Sequence, residues 1–155
     1  MINTRNRIAL CAAIAAAAAP AVAIASSSTT IGSGKVKAGT VVVNSSGLTL
    51  YSFANDSKNK STCYGQCAKA WVPLTTKGSV VIKSGSGLSQ TLVGKAKRTD
   101  GTTQVTYGGH PLYRYTGDTK AGQQNGQNKK QFGGHWYVVG KNGKWIKPAG
   151  LVGGY

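Results

Sequence analysis

The chain has 155 residues, with 19 Lys plus Arg against 3 Asp, no Glu and a formal net charge of +16. That length leaves room for one domain and one targeting segment. The charge favours attraction to polyanions, and the missing glutamate confines any carboxylate chemistry to three aspartates.

Residues 1–25 read as a secretory signal. Arg5 and Arg7 precede an apolar run, Ile8 to Ala19, and Pro20 breaks it. Ala23-Ile-Ala25 offers a small-x-small cleavage site before Ser26. A retained membrane anchor is the alternative, but the alanine-rich run is short for a bilayer. Cleavage there leaves 130 residues with a net charge of +14, and Cys11 departs with the signal. The expectation is an exported protein, secreted or held in the periplasm or cell envelope.

Ser26 to Lys37 is rich in Ser, Thr and Gly without an apolar period, so a flexible lead-in is expected over 26–37. Thr40–Val43 and Leu48–Phe53 flank the turn Asn44-Ser-Ser-Gly47 and read as a hairpin. Alternation places Leu48 and Leu50 on one face, Tyr51 and Phe53 on the other. Ser61 or Thr62 reads as an N-cap for a short helix, Cys63 to Trp71, which Pro73 stops. Val80–Ile82 is a short strand. Lys95–Arg98 and Thr102–Tyr107 flank Asp100-Gly101, a strong hairpin turn.

His110–Tyr115 is a further strand with Tyr113 and Tyr115 on one face, and Pro111 inside it indicates an edge or a bulge. Thr119 to Gly134 is polar and reads as a long exposed loop. His135–Val139 and Lys144–Lys147 flank a last turn at Lys141-Asn-Gly143, and 149–155 is a glycine-rich tail. The sum is a mostly β, antiparallel domain over 38–148 with one short helix.

Gly47-Leu-Thr-Leu-Tyr-Ser-Phe-Ala-Asn-Asp56 recurs as Gly109-His-Pro-Leu-Tyr-Arg-Tyr-Thr-Gly-Asp118, an offset of 62 residues. The matched positions include Leu50/Leu112, Tyr51/Tyr113, Phe53/Tyr115, Asp56/Asp118 and Lys58/Lys120, and each copy later reaches a tryptophan, Trp71 or Trp136. Self-similarity at a fixed period predicts two pseudo-symmetric halves, about 40–76 and 102–140.

The doubled Tyr51-Ser-Phe53-Ala-Asn-Asp56 and Tyr113-Arg-Tyr115-Thr-Gly-Asp118 resemble the Tyr-x-(Phe/Trp/Tyr)-x-x-Asp motif of a bacterial family of exported proteins and lipoproteins, the "secreted repeat of unknown function". Ser61 to Pro73, Arg98 to Tyr107 and Gly134-His-Trp136 resemble it too, and the likeness covers about residues 40–140. The resemblance implies an exported envelope protein built as a repeat pair, and it implies no reaction. Unlike the family's lipoproteins, the chain lacks a lipobox, since Leu10 precedes Cys11 where a small residue belongs.

Cys63 and Cys67 lie on one face of a helical turn, close enough for a disulfide, and an even cysteine count after export favours one. The alternative is a small copper or redox protein using Cys63 and Cys67 with His110 and His135. Asp56 and Asp118 read either as turn carboxylates accepting backbone N–H groups or as an acid–base pair. Tyr51, Phe53, Tyr113, Tyr115, Trp71 and Trp136 read as core, or as an exposed platform of a carbohydrate-binding module. No nucleophile–base pair stands out, so the expectation is a protein that is not an enzyme and needs no cofactor. The expected partner is an anionic envelope polymer, acidic polysaccharide, anionic lipid headgroups or extracellular DNA, bound without specificity. Lys129 and Lys130 are the leading contacts, with Lys120, Lys58 and Lys60 beside them.

Overall fold

The computed structural model describes residues 27–149. The expected signal, 1–25, and the tail beyond 149 lie outside the described residues. In chain order the strands are β1 (Thr29–Val36), β2 (Gly39–Asn44), β3 (Leu50–Phe53), β4 (Trp71–Pro73), β5 (Val80–Ile82), β6 (Val93–Lys97), β7 (Thr103–Tyr107), β8 (His110–Pro111), β9 (Tyr113–Tyr115), β10 (Lys130–Gln131) and β11 (Gly134–Val138). One short helix, α1 (Gln66–Ala70), precedes β4. The fold is mostly β, as expected. Three sheets run β2-β1-β5, β10-β11-β3-β9-β4 and β6-β7-β8, and every strand pair is antiparallel except β1 with β5.

The expected flexible lead-in is instead mostly β1, an eight-residue strand at the centre of its sheet. Its glycines hide it from any apolar period. A Cβ on Gly34 would lie 2.9 Å from Val43 Cγ1, and one on Gly32 3.3 Å from Lys83 Cβ. Neighbouring side chains therefore fill the space that a strand residue would normally occupy. β2 pairs fully with β1, and across the turn toward β3 the β pairing is limited to the Val43–Thr49 bridge, so the expected hairpin is not a paired ladder.

Three further expectations are corrected. Neither Ser61 nor Thr62 caps α1; its N-cap is Gly65, at φ 55°, with no side-chain hydrogen bond. Ser61 is drawn into the interior, and Thr62 binds Asp56. The strand at His110–Tyr115 is broken at Leu112, because β8 pairs with β7 while β9 pairs with β3 and β4. The segment 119–134 is not simply an exposed loop. Gly126 is buried in it, its N–H donates to Tyr51 Oη at 3.3 Å, and β10 closes it onto β11.

The repeat is written into the central sheet. Tyr51 and its repeat mate Tyr113 are direct cross-strand partners. Trp136 lies opposite Phe53 and Trp71 opposite Tyr115, so matched pairs flank that point on both sides. A local two-fold axis therefore passes between Tyr51 and Tyr113. Trp71 and Trp136 are anchored on β4 and β11, separated by two intervening strands at about 4.8 Å per spacing. Their rings nonetheless stack at 3.9 Å and 4°, so the sheet curls until its flanks meet. Phe53 stacks on Trp136 and Tyr115 on Trp71, both at 4.4 Å, while Tyr113 and Tyr51 meet the indoles edge-on. The repeat aromatics are thus core, with Tyr115 partly buried, and not an exposed platform. On the other face Leu50 and Leu112 join Ile31, Val42, Val105 and Tyr107 in a second cluster, which bears out the alternation read in Leu50 to Phe53.

Gly126 sits where this core leaves no room. An added Cβ would lie 2.6 Å from Trp71 Cη2 and 3.0 Å from Tyr51 Cζ. Gly126→Ala is expected to destabilise by about 1–3 kcal/mol through overpacking, and Trp136→Ala by about 3–5 kcal/mol through the cavity it leaves. Urea unfolding of both variants checks this; unchanged midpoints would contradict the packing described.

Candidate functional site

The repeated Tyr and Asp meet across the two-fold axis, each binding the other repeat. The Tyr51 hydroxyl donates to Asp118 Oδ2, and the Tyr113 hydroxyl donates to Asp56 Oδ2 at 2.7 Å. The second oxygen of each carboxylate is also occupied. Asp118 Oδ1 accepts the Asn125 N–H at 2.9 Å, and Asp56 Oδ1 accepts the Thr62 N–H at 2.7 Å and its hydroxyl at 2.9 Å. Tyr51, Tyr113 and Asp118 are fully buried. Burial is the leading cause that raises both phenol pKa values, reinforced by their aspartates. Burial likewise raises Asp56 above the usual carboxylate value, against the hydrogen bonds that lower it.

On the Asp56 side the network extends to a buried cation. Arg98 Nη1 donates to Ser61 Oγ and to Gln104 Oε1, each at 2.7 Å, and Nη2 donates to Cys63 O at 2.8 Å. Tyr113 has one proton, and it goes to Asp56, so across the 2.7 Å contact Ser61 donates to Tyr113. Two hydroxyls thus relay between the guanidinium and the carboxylate. Gln104 Nε2 donates onward to Leu112 O at 2.8 Å. Sequence reasoning missed Ser61, Arg98 and Gln104. A lone Arg beside a turn reads as solvated charge, and only the fold brings it to residue 61.

The third aspartate is also engaged. Asp100 accepts the Thr102 hydroxyl at 2.5 Å, the Thr102 N–H at 3.0 Å and, with smaller effect, Arg98 Nε at 3.1 Å, which hold its carboxyl down at about 2. Arg98–Asp100 is the one salt bridge among the described residues. The lysines are spread over the surface. Lys58, Lys60, Lys120 and Lys130 are exposed, whereas Lys129 is half-buried with its ammonium 5.6 Å from the Tyr115 ring centroid. Lys129 and Lys130 therefore differ in setting, although they are adjacent in sequence.

Cys63 and Cys67 form a disulfide with Cα atoms 5.3 Å apart, packed in the aromatic core. The copper reading needed those sulfurs as thiols beside two imidazoles. Among the described residues no three His, Cys, Asp or Glu side chains gather to hold a metal. His110 and His135 instead cap the ends of a ring row. His110 lies 4.9 Å from Trp145, Trp145 5.4 Å from Tyr137, and Tyr137 5.9 Å from His135. The Lys147 ammonium stands over Tyr137 and Trp145 at 5.7 and 5.6 Å. Half-burial is the leading cause that lowers His110 below its ordinary pKa.

Two stretches, residues 32–75 and 94–140, match the family described as "secreted repeat of unknown function". Together they cover more than half of the chain, which belongs to that family. No curated protein and no solved structure matches it. The matched repeats begin earlier than the 40–76 and 102–140 read from sequence, and so take in part of β1 and nearly all of β6. Membership of a secreted family fits an extracellular or envelope location. Among the described residues no helix is long and apolar enough to cross a membrane.

Removing one phenol leaves one carboxylate oxygen without its donor. Tyr51→Phe leaves the fully buried Asp118 Oδ2 without its donor, whereas Asp56 is only half-buried and keeps both Thr62 donors. Tyr51→Phe is expected to destabilise by about 1–3 kcal/mol and Tyr113→Phe by less; the reverse order in urea unfolding would contradict this geometry. Alkali gives a second test. Both phenols have folded-state pKa values above the unfolded one. Their contribution is complete below about pH 10 and is lost as pH rises further, because the unfolded chain then releases protons that the folded chain holds. Absorbance at 295 nm should show two tyrosines ionising only with unfolding. Reversible titration of every tyrosine in the folded protein would contradict the crossed pairs.

Proposed function

We propose that this family member is an exported, non-catalytic, strongly basic module, released from its signal near Ala25, that associates through charge with anionic polymers of the cell envelope or its surroundings. One observation carries the reading: Asp56 and Asp118 are spent on hydrogen bonds inside the fold and Asp100 on its ion pair with Arg98, so among the described residues no aspartate pairs with a lysine. All 15 lysines of the chain lie among the described residues, and 14 of them are exposed. A surface with 14 exposed lysines and one exposed aspartate, Asp100, is strongly cationic and speeds encounter with polyanions. It exceeds what solubility alone calls for. Lysine is a flexible point charge, not a bidentate fork, so the recognition is broad. The full burial of Asp118 and the three hydrogen bonds on the half-buried Asp56 support the non-catalytic part, since a general base needs a lone pair within reach of substrate.

The exported protein is expected to bind acidic polysaccharide, anionic vesicles and single-stranded DNA at low salt. For DNA, affinity should fall by a power of salt near the number of phosphates contacted. Exchanging Lys130→Glu should weaken binding more than Lys129→Glu, because Lys129 is held against Tyr115. Co-sedimentation and fluorescence anisotropy at two ionic strengths measure this. Failure to bind any polyanion at low salt, or salt-resistant binding to a neutral sugar, would overturn the proposal.

A further inference from the structure

Three lysines line one concavity that the sequence does not announce. Along β6, Lys95 and Lys97 are exposed and alternate with the buried Ala96 and Arg98, so both lysines point outward on the same face. Lys97 lies opposite Thr103 in the β6–β7 ladder. On the far side of β7, the Thr76 N–H donates to Thr103 O at 2.8 Å and Thr75 bridges to Gln104, which docks the segment carrying Lys77. That segment is held at its turn as well. Thr76 Oγ1 accepts the Gly78 N–H at 3.2 Å, and Ser79 O accepts the Thr29 N–H at 2.9 Å. Lys77, Lys95 and Lys97 thereby share the rim of a concavity of about 360 Å³, with Thr76, Gly78 and Thr103 completing its walls. A second concavity of about 340 Å³ shares Thr76, Lys77 and Thr103 and continues to the hairpin tip at Gly101 and Thr102.

The rim has no carboxylate to balance it. Asp100 lines neither concavity, and its carboxylate, exposed at the hairpin tip, is paired with the Arg98 guanidinium. Like charges gathered in a concave site repel one another and focus positive potential into the space between them. We infer that this concavity is an anion site that takes phosphoryl groups of a phosphate-bearing polymer, the chain lying on from Lys95 and Lys97 past Lys77 toward Gly101. The inference rests on the polyanion reading and names its ligand class. Three ammoniums match a group carrying more than one negative charge, or closely spaced charges along a chain, better than one carboxylate. Lysine also binds phosphate well as a point charge without fork geometry. The repeat offset does not copy this site: 62 residues before Lys95, Lys97 and Thr103 stand Ser33, Lys35 and Val41. One site per chain follows.

The test compares two neutralised proteins of equal net charge. One carries Lys77→Gln, Lys95→Gln and Lys97→Gln. The other carries Lys37→Gln, Lys69→Gln and Lys144→Gln, exposed lysines away from the concavity. Both are titrated calorimetrically with inorganic tripolyphosphate, a glycerol-phosphate polymer, single-stranded DNA and polygalacturonate, and melting temperatures are measured alongside. Wild type is expected to take up one tripolyphosphate per chain. The first variant should weaken phosphate ligands about tenfold or more, and the second by a few-fold at most. Whether the glycerol-phosphate polymer or DNA binds more tightly distinguishes the sources of the phosphate. Equal weakening in both variants would overturn the site while leaving the polyanion reading intact. Polygalacturonate binding that depends on the concavity as strongly as phosphate binding does would overturn the ligand class. No binding of any polyanion by wild type would overturn both readings.

Discussion

A phenol in each repeat donates a hydrogen bond to a carboxylate in the other, and the rest of the fold depends on those crossed bonds. A buried hydroxyl or carboxylate without a partner is costly, and the penalty is larger for a charge. Neither repeat holds a complete pair of its own. Each has a donor on its strand and an acceptor in its turn, and the partners of both lie across the axis. The β3–β9 register follows, because only Tyr51 opposite Tyr113 gives both repeats the same crossing. The curl of the central sheet brings Trp71 and Trp136 face to face over the same axis, so hydrogen bonding and apolar packing enforce one arrangement.

The same economy of acids shapes the surface. A chain with three aspartates uses two to lock its repeats and one to hold Arg98 at a hairpin. The interior is electrostatically satisfied and the exterior is left cationic. Arg98 shows how far this goes: its guanidinium is almost fully buried yet bonded to Ser61, Gln104, Cys63 O and Asp100, so it adds little to the outer field. The outward charge is carried by lysines, whose flexible stems suit broad contact with a chain of anionic groups.

Much of the architecture was legible because the chain repeats itself. The 62-residue offset gave the two halves, alternation sorted Leu50 from Tyr51 and Phe53, Asp100-Gly101 marked its hairpin, and the spacing of Cys63 and Cys67 allowed the bond they form. What was not legible depends on contacts made far along the chain. Gly32 and Gly34 look like linker, because a strand whose side-chain space is filled by Val43 and Lys83 shows no apolar period. Ser61 looks like a helix cap until Arg98 and Tyr113 claim its hydroxyl. The polar segment around Gly126 looks solvated until Tyr51 and Trp71 close on its backbone. Lys95-x-Lys97 did carry a readable signal, two cations on one strand face, but Lys77 joins them only through the docking of Thr76 on Thr103.

If the crossed pairs bind the halves into one cooperative unit, no repeat can open alone. Native-state hydrogen exchange measured amide by amide, with low concentrations of denaturant, tests this directly. The slowest amides of β3 and β4 in the first repeat, and of β9 and β11 in the second, should converge on a single opening free energy equal to that of global unfolding. A lower, separate free energy for one repeat, with the other still protected, would contradict the interdependence of the two halves.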